Sequence, residues 1–284
     1  MAAAMSFLGI QGRVVVVAGG AGGIGSEVVR ELAKDGATVV IADADLAAAQ
    51  SLQSSIISEG AQSAAYQLDL CSEVSIHTFF QESRAAYGEI YGLVNAVGIV
   101  GAGTALRCDI SEYQRQIELN CYGAMRLARA FVEQCCTRLS ANDGTGDVVN
   151  ASYVYISSVA AELAIPDRDP YCVSKAAGQI FHLNLANEVA RYGINVNVIL
   201  PGRTGTPAAV ERAGISLEAA RMMYATQRRQ GMIPSRTIAK TCAFLLCPEL
   251  VGFSGQKIVV AEGADTTYRP SYEALDRCQR GSDS

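Results

Sequence analysis

The stretch RVVVVAGGAGGIGSEVVREL, residues 13–32, decides the fold. It opens on a run of four valines and passes through five glycines in the seven positions 19–25. It then continues with Ile24, Val28 and Leu32 recurring every fourth residue. A β-branched run without polar alternation suits a strand buried on both faces of a parallel sheet. The fourfold spacing lines up three apolar side chains on one helix face, which packs on that sheet. Between them, Gly19, Gly22, Gly23 and Gly25 allow a tight turn and let main-chain N–H groups approach a pyrophosphate. The helix that Ile24 enters adds partial positive charge at its N-terminus. The order strand, glycine loop, helix predicts a dinucleotide site; a flexible turn is the plain alternative.

Working outward, strand patterns recur at 13–18, 38–42, 65–68, 92–95, within 148–157, at 195–200 and at 257–260. Helical patterns separate them, including long ones at 111–139 and 170–192. Alternating strands and helices imply right-handed crossovers. The expected fold class is α/β: a three-layer, doubly wound (Rossmann) parallel sheet of about seven strands. No Pro/Ser-rich linker or internal repeat divides the chain. A single domain over 1–265 is expected, followed by a polar tail at 266–284. Two segments are irregular: the turn-rich SANDGTG at 140–146, and 203–234 with a helix expected near 217–230. Long segments after the carboxyl ends of strands usually cover the ligand.

Composition narrows the function classes. Half of the 284 residues are hydrophobic, which excludes a disordered chain. The net charge of −5, without basic clusters, argues against nucleic acid and anionic membranes as partners. The N-terminus lacks a signal-peptide pattern, and no apolar run reaches the roughly 20 residues of a membrane helix. A cytoplasmic protein is expected. Nine cysteines, an odd number with no CxxC pair, are expected to be buried reduced thiols. The two histidines, His77 and His182, have no ligand partner at metal spacing, so neither a metal site nor a Ser/His/Asp hydrolase is expected.

The second strand ends at Asp43, twenty residues after Gly23. A carboxylate there accepts hydrogen bonds from ribose hydroxyls and repels a 2′-phosphate. Neither position 44 nor the glycine loop holds Lys or Arg. The expected cofactor is NAD, with NADP disfavoured. Capping of the next helix by Asp43 or Asp45 is the competing reading.

Further on, Tyr171 and Lys175 stand at i and i+4 and share a helix face. Asp169 is placed to N-cap this helix with Pro170 at its first position, which puts Tyr171 near the positive end of the dipole. A free Tyr titrates near pH 10, and a nearby ammonium favours its phenolate. Such a Tyr takes an alcohol proton or returns it to a carbonyl. Ser158, thirteen residues upstream of Tyr171, is suited to hydrogen-bond the same substrate oxygen. Ser157 is its neighbour, and Ser152, nineteen residues upstream, is too far for the spacing.

Read in order, Ala18-Gly19-x-x-x-Gly23-Ile24-Gly25, Asn95-Ala96-Val97-Gly98, Asn120, Ser158, Tyr171-x-x-x-Lys175 and Pro201-Gly202 resemble the short-chain dehydrogenase/reductase family over roughly residues 8–263. The resemblance implies that Asn120, Ser158, Tyr171 and Lys175 are catalytic. It implies that Lys175 also holds the nicotinamide ribose and that Asn120 orders a water relaying protons to it. Asp69, followed by Leu70, matches an acid at the adenine amino group. Asn95, Gly98, Pro201 and Gly202 match residues lining the cofactor, and Thr206, with Thr204 competing, matches a threonine that contacts it. Arg236 matches a structural position. A homotetramer or homodimer is implied, with the two long helices pairing across subunits. The departures are Ala18 for Thr, Ala96-Val97, Ala261-Glu262, and an insertion at the loop and strand entrance before Ser158.

The expected function is an NAD(H)-dependent oxidoreductase interconverting a secondary alcohol and a ketone, with a small-molecule substrate. The alternatives are an NADPH-dependent ketoreductase of carrier-bound 3-oxoacyl groups, for which Arg126, Arg129 and Arg138 offer a local basic patch, and a non-catalytic dinucleotide sensor. Candidate pocket positions are Val100, Ala160, Glu162, Leu163, Met222, Met223 and Tyr224. Glu162 with Arg212, Arg221, Arg228 and Arg229 is expected to be a solvated face before a charged-substrate site.

Overall fold

The structure, a computed structural model, describes residues 8–141, 149–207, 209, 216, 218–219 and 232–261, with the main chain alone at 137–141. Most of the expected 217–230 helix, most of the 140–146 loop and the 266–284 tail lie outside the described residues, as do Met222, Met223, Tyr224, Arg212, Arg221, Arg228 and Arg229.

Seven strands form one parallel sheet: β1 (Val14–Ala18), β2 (Thr38–Asp43), β3 (Ser63–Gln67), β4 (Ile90–Asn95), β5 (Ala151–Ile156), β6 (Ile194–Pro201) and β7 (Lys257–Val260). Their order is β3-β2-β1-β4-β5-β6-β7. The helices are α1 (Gly25–Lys34), α2 (Leu46–Ser58), α3 (Glu73–Tyr87), α4 (Ile110–Ile117), α5 (Ala124–Ala141), α6 (Asp169–Val189) and α7 (Ser235–Leu245). The unbroken valines of β1 have a simple cause. Val15 and Val17 enter the core beneath α1 and α7, with Val28, Leu32 and Ile238. Val14 and Val16 enter the opposite core, with Phe79, Phe131 and Tyr153. Every residue of the strand is buried. β1 pairs with both β2 and β4, so the chain order reverses there and opens a crevice at the carboxyl ends of β1 and β4.

Three expectations need correction. The 111–139 helix is not uniform: α4 and α5 are joined through a π-helical turn, Glu118–Gly123. Gly123 lies so close to Leu70 that a Cβ would come within 2.9 Å of the Leu70 Cβ, and Asn120 bonds away to the loop after β4. Packing, invisible to periodicity, sets this turn. Asp169 does not cap α6. It is the first helical residue, and its carboxylate accepts a hydrogen bond from the Tyr113 hydroxyl of α4. The cysteines are not all buried: Cys121, Cys242 and Cys247 are, but Cys71 is exposed. Arg236 does act between elements, 3.4 Å from Glu31 of α1. Among the described residues, no helix is long and apolar enough to cross a membrane.

The sheet is tied to its outer helix by a buried bond from the Tyr91 hydroxyl of β4 to the Leu246 carbonyl, 2.7 Å, while the Arg13 guanidinium lies 4.3 Å over the Tyr91 ring. Tyr91→Phe keeps the ring and loses this bond together with the side-chain bond to Ser152. It is expected to lower stability by about 1–2 kcal/mol, because the carbonyl stays buried without its donor. An unchanged midpoint in urea unfolding contradicts this.

Candidate active site

Gly19 ends β1 with φ +72°, and a Cβ on it would lie 2.9 Å from the Val97 main-chain nitrogen. Only a residue without a side chain lets these two turns meet, and it adopts this conformation without strain. Main-chain bonds fix the approach: Gly19 N to the Ala42 carbonyl (2.8 Å), Ala96 N to the Ala18 carbonyl (2.8 Å) and Gly22 N to the Gly19 carbonyl (3.1 Å). Gly25 begins α1, whose N-cap residue Ile24 supplies no side-chain cap. Gly23 faces the loop after β6, where a Cβ would come within 2.6 Å of the Thr206 Cβ. Thr204 instead turns inward, its hydroxyl donating to the Gly202 carbonyl at 3.1 Å.

Asp43 stands at the end of β2 with both carboxylate oxygens on main-chain amides: Oδ2 accepts from Ala21 N of the glycine loop (2.9 Å) and Oδ1 from Asp45 N (3.1 Å). Asp45, not Asp43, caps α2 through Ala48 N. Asp69 is exposed, with Oδ1 on Cys71 N at 2.9 Å, and α3 is capped by Ser72. The Leu70 side chain is buried in the core rather than turned to the crevice. Asn95, fully buried, accepts from Val97 N (3.1 Å) and shapes the β4 exit. Pro201 closes β6, and Gly202 N bonds the Val260 carbonyl of β7.

These residues fit a dinucleotide. The glycine turn leaves a cradle that a Cβ would fill, an uncapped helix N-terminus faces it, and Asp43 supplies acceptors at its far side. At the other end, Gly98 lies directly against the amine: a Cβ on it would lie 3.0 Å from Lys175 Nζ. Among the described residues, no cluster of His, Cys, Asp and Glu is suited to a metal.

The second half of the site comes from β5, the π-turn and α6. Ser157 and Ser158 follow β5 and are both buried. The Ser157 hydroxyl points to the α6 carbonyl of Lys175 (3.5 Å). Ser158 Oγ accepts from Ala160 N (3.1 Å), and among the described residues its own O–H is unspent. Ser152 sits inside the strand, away from its end. Tyr171 is half-buried in the first turn of α6. Lys175, one turn on, is 3% exposed and donates to the Ile156 carbonyl at 3.0 Å. Burial pulls its amine down from 10.5 to about 8. Asn120 accepts from Ile99 N (2.8 Å) and donates to the Ile99 carbonyl (2.9 Å) and to Ser174 Oγ (3.0 Å). Both its donors are therefore used in joining the β4 exit to α6. Ser174, Tyr153, Tyr155 and His182 complete this buried polar layer. From the sequence, His182 was weighed only as a metal ligand and the other three were passed over, although the alternation of Tyr153 and Tyr155 within β5 marked one strand face. Glu162 is exposed, as expected of a solvated charge, and it accepts from Gln179 (2.9 Å) and pairs with Lys257 of β7.

The folded chain holds Lys175 uncharged at high pH more readily than the unfolded chain does. Between about pH 8 and 10.5 the unfolded chain binds a proton the folded chain releases, so this residue's contribution to stability rises with pH. Below about pH 8 the burial is fully unfavourable, by about 3 kcal/mol. Lys175→Met removes that term and gives back about 1 kcal/mol for the lost bond to Ile156. The variant is expected to outlast the wild type in urea at pH 7, with the gap closing toward pH 10. A variant less stable at pH 7 contradicts this.

A family model described as enoyl-(acyl carrier protein) reductase matches residues 19–265. Chanoclavine-I dehydrogenase of Claviceps purpurea is 31% identical over 261 residues, covering 87% of this chain and 96% of its own. An uncharacterized oxidoreductase of Thermotoga maritima is 27% identical over 256 residues, with 89% and 96% covered. The crystal structure of a gluconate 5-dehydrogenase from Burkholderia cenocepacia J2315, in complex with NADP and tartrate, superposes with a TM-score of 0.80 at 22% identity, covering 94% of this chain and 100% of that one. The chain belongs to the short-chain dehydrogenase/reductase family of oxidoreductases, whose members here act on CH–OH groups and use nicotinamide dinucleotides.

Proposed function

We propose that this chain is an NAD(H)-dependent dehydrogenase that interconverts a secondary alcohol and a ketone, with Tyr171 as general acid and base. The observation that carries the reading is the convergence, at one end of the sheet, of a half-buried Tyr171, a buried Lys175 amine beside Gly98, and a Ser158 hydroxyl with its proton unspent. A nicotinamide dinucleotide, when bound by the glycine cradle, would supply the hydride acceptor or donor. Tyr171 takes the proton of the alcohol, or returns it in the reverse direction. Ser158 donates to the same substrate oxygen and orients it. Lys175, charged below about pH 8, favours the phenolate of its helix neighbour. Asn120 keeps the β4 exit and α6 in register through Ile99 and Ser174.

Asp43 supports NAD over NADP. Its carboxylate is fixed beside the glycine loop, and a 2′-phosphate there would meet its charge. The NADP in the gluconate 5-dehydrogenase structure belongs to that protein. A ketoreductase acting on carrier-bound 3-oxoacyl groups draws less support, since Arg126 of the basic patch is spent on Glu73 and Glu118. A homotetramer or homodimer is supported by apolar side chains left exposed on the α4–α6 side, Ile110 at 69% and Ile180 at 57%.

Turnover of NAD+ with a panel of secondary alcohols, sugars, cyclic diols and sterols tests the reading. Tyr171→Phe is expected to lower turnover by about 100-fold or more while NADH binding persists. Unchanged turnover in that variant overturns the mechanism.

A further inference from the structure

The amine of Lys175 is buried without a carboxylate. Among the described residues none acts on it, and its one hydrogen bond runs to the Ile156 carbonyl. What does face it is an aromatic ring: Lys175 Nζ lies 5.2 Å from the ring centroid of Tyr155. That is within the range at which a ring quadrupole attracts a cation, and the attraction is strongest where water is excluded.

The ring is held at its hydroxyl and against a stacked neighbour. Tyr155 is fully buried on β5, and its hydroxyl donates to the main-chain carbonyl of Asn120 in the π-turn at 3.0 Å. Burial holds this phenol well above its ordinary range, so it stays a donor. Its other neighbour is His182, stacked 4.0 Å away with an interplanar angle of 6°. His182 is anchored in turn. Its Nδ1 meets the Gly178 carbonyl at 2.7 Å and so carries the proton, leaving Nε2 to accept from the Tyr153 hydroxyl at 3.2 Å. The Tyr153 oxygen then accepts from Asn95 Nδ2 at 3.3 Å, and Asn95 holds Val97 N at the β4 exit. Burial pushes the imidazole down to about 3, so it is neutral and does not compete with Lys175 for charge. Gly178 supplies the space: a Cβ there would lie 2.5 Å from the Tyr155 hydroxyl. The titratable groups packed around Tyr155 and the amine are Tyr171 and His182 of α6, Tyr153 of β5 and Cys121 of the π-turn.

We propose that Tyr155 is a positioning residue for Lys175: clamped between His182 and the Asn120 carbonyl, its ring face holds the buried amine in place and favours its charged form. Its link to turnover rests on the reading of Tyr171 and Lys175 given above. Its effect on the amine does not.

The test uses the chain's four lysines, Lys34, Lys175, Lys240 and Lys257, labelled at Cε with 13C and followed by NMR across pH in the full-length, nucleotide-free protein. Lys175 is assigned by its loss in Lys175→Met. In the wild type its ε-protons are expected upfield of the other three, shifted by the ring current of Tyr155. Two near-isosteric variants, Tyr155→Phe and Tyr155→3,4,5-trifluorophenylalanine, both lack the hydroxyl and differ in ring quadrupole. The trifluoro variant is expected to titrate Lys175 at least 0.3 pH unit below the Phe variant, about a twofold shift in the protonation equilibrium. A difference smaller than that, or the absence of the upfield shift in the wild type, overturns the proposal. Undiminished turnover in Tyr171→Phe would instead remove the catalytic reading and leave the ring–amine result standing.

Discussion

The turn after β1 and the exit of β4 meet main chain to main chain, and the rest of the site depends on that contact. Gly19 leaves 2.9 Å between an imagined Cβ and the Val97 nitrogen, less than real side chains tolerate. The approach follows from the sheet order, because β4 pairs with β1 on the side that β2 leaves free. It sets the glycine loop against the loop that carries Gly98, and through Asn120 and Ile99 it fixes where α6 presents Tyr171 and Lys175. The two halves of the candidate site, the glycine loop and the Ser158–Tyr171–Lys175 end of β5 and α6, are thus joined through a single crevice.

The second constraint is electrostatic. A buried amine without a carboxylate destabilises the fold, and the chain retains it between a carbonyl and an aromatic face. Around it, nearly every buried polar atom is satisfied: Asn95, Asn120, Ser174, Tyr153, Tyr155 and His182 bond one another or the main chain. Among the described residues the exception is Gln179 Oε1. Such a layer positions groups firmly, because each partner's loss would strand another in low dielectric. Its stability cost is concentrated in one buried amine, that of Lys175.

Much of this was legible in the sequence where cause and effect are local. The valine run, the glycines and the spacing of Ile24, Val28 and Leu32 lie within twenty residues, and each follows from strand or helix geometry alone. Asp43 was legible because it ends a strand, and Tyr171 with Lys175 because a helix turn brings them together. What escaped has partners far along the chain. The π-turn answers to Leu70 and Ile99, Asp169 answers to Tyr113 fifty-six residues away, and the Tyr155–His182 stack joins a strand to a later helix. Glu162 was legible as an exposed charge, but its partner Lys257, ninety-five residues downstream, was not.

The central claim is that the crevice beside Gly19 takes a dinucleotide whose adenosine ribose meets the fixed carboxylate of Asp43. Calorimetric titration of the wild-type protein with NADH and NADPH, in one buffer at one salt concentration, tests it most directly. The account predicts a dissociation constant for NADH at least tenfold lower than for NADPH. Equal affinities, or tighter binding of NADPH, would contradict it.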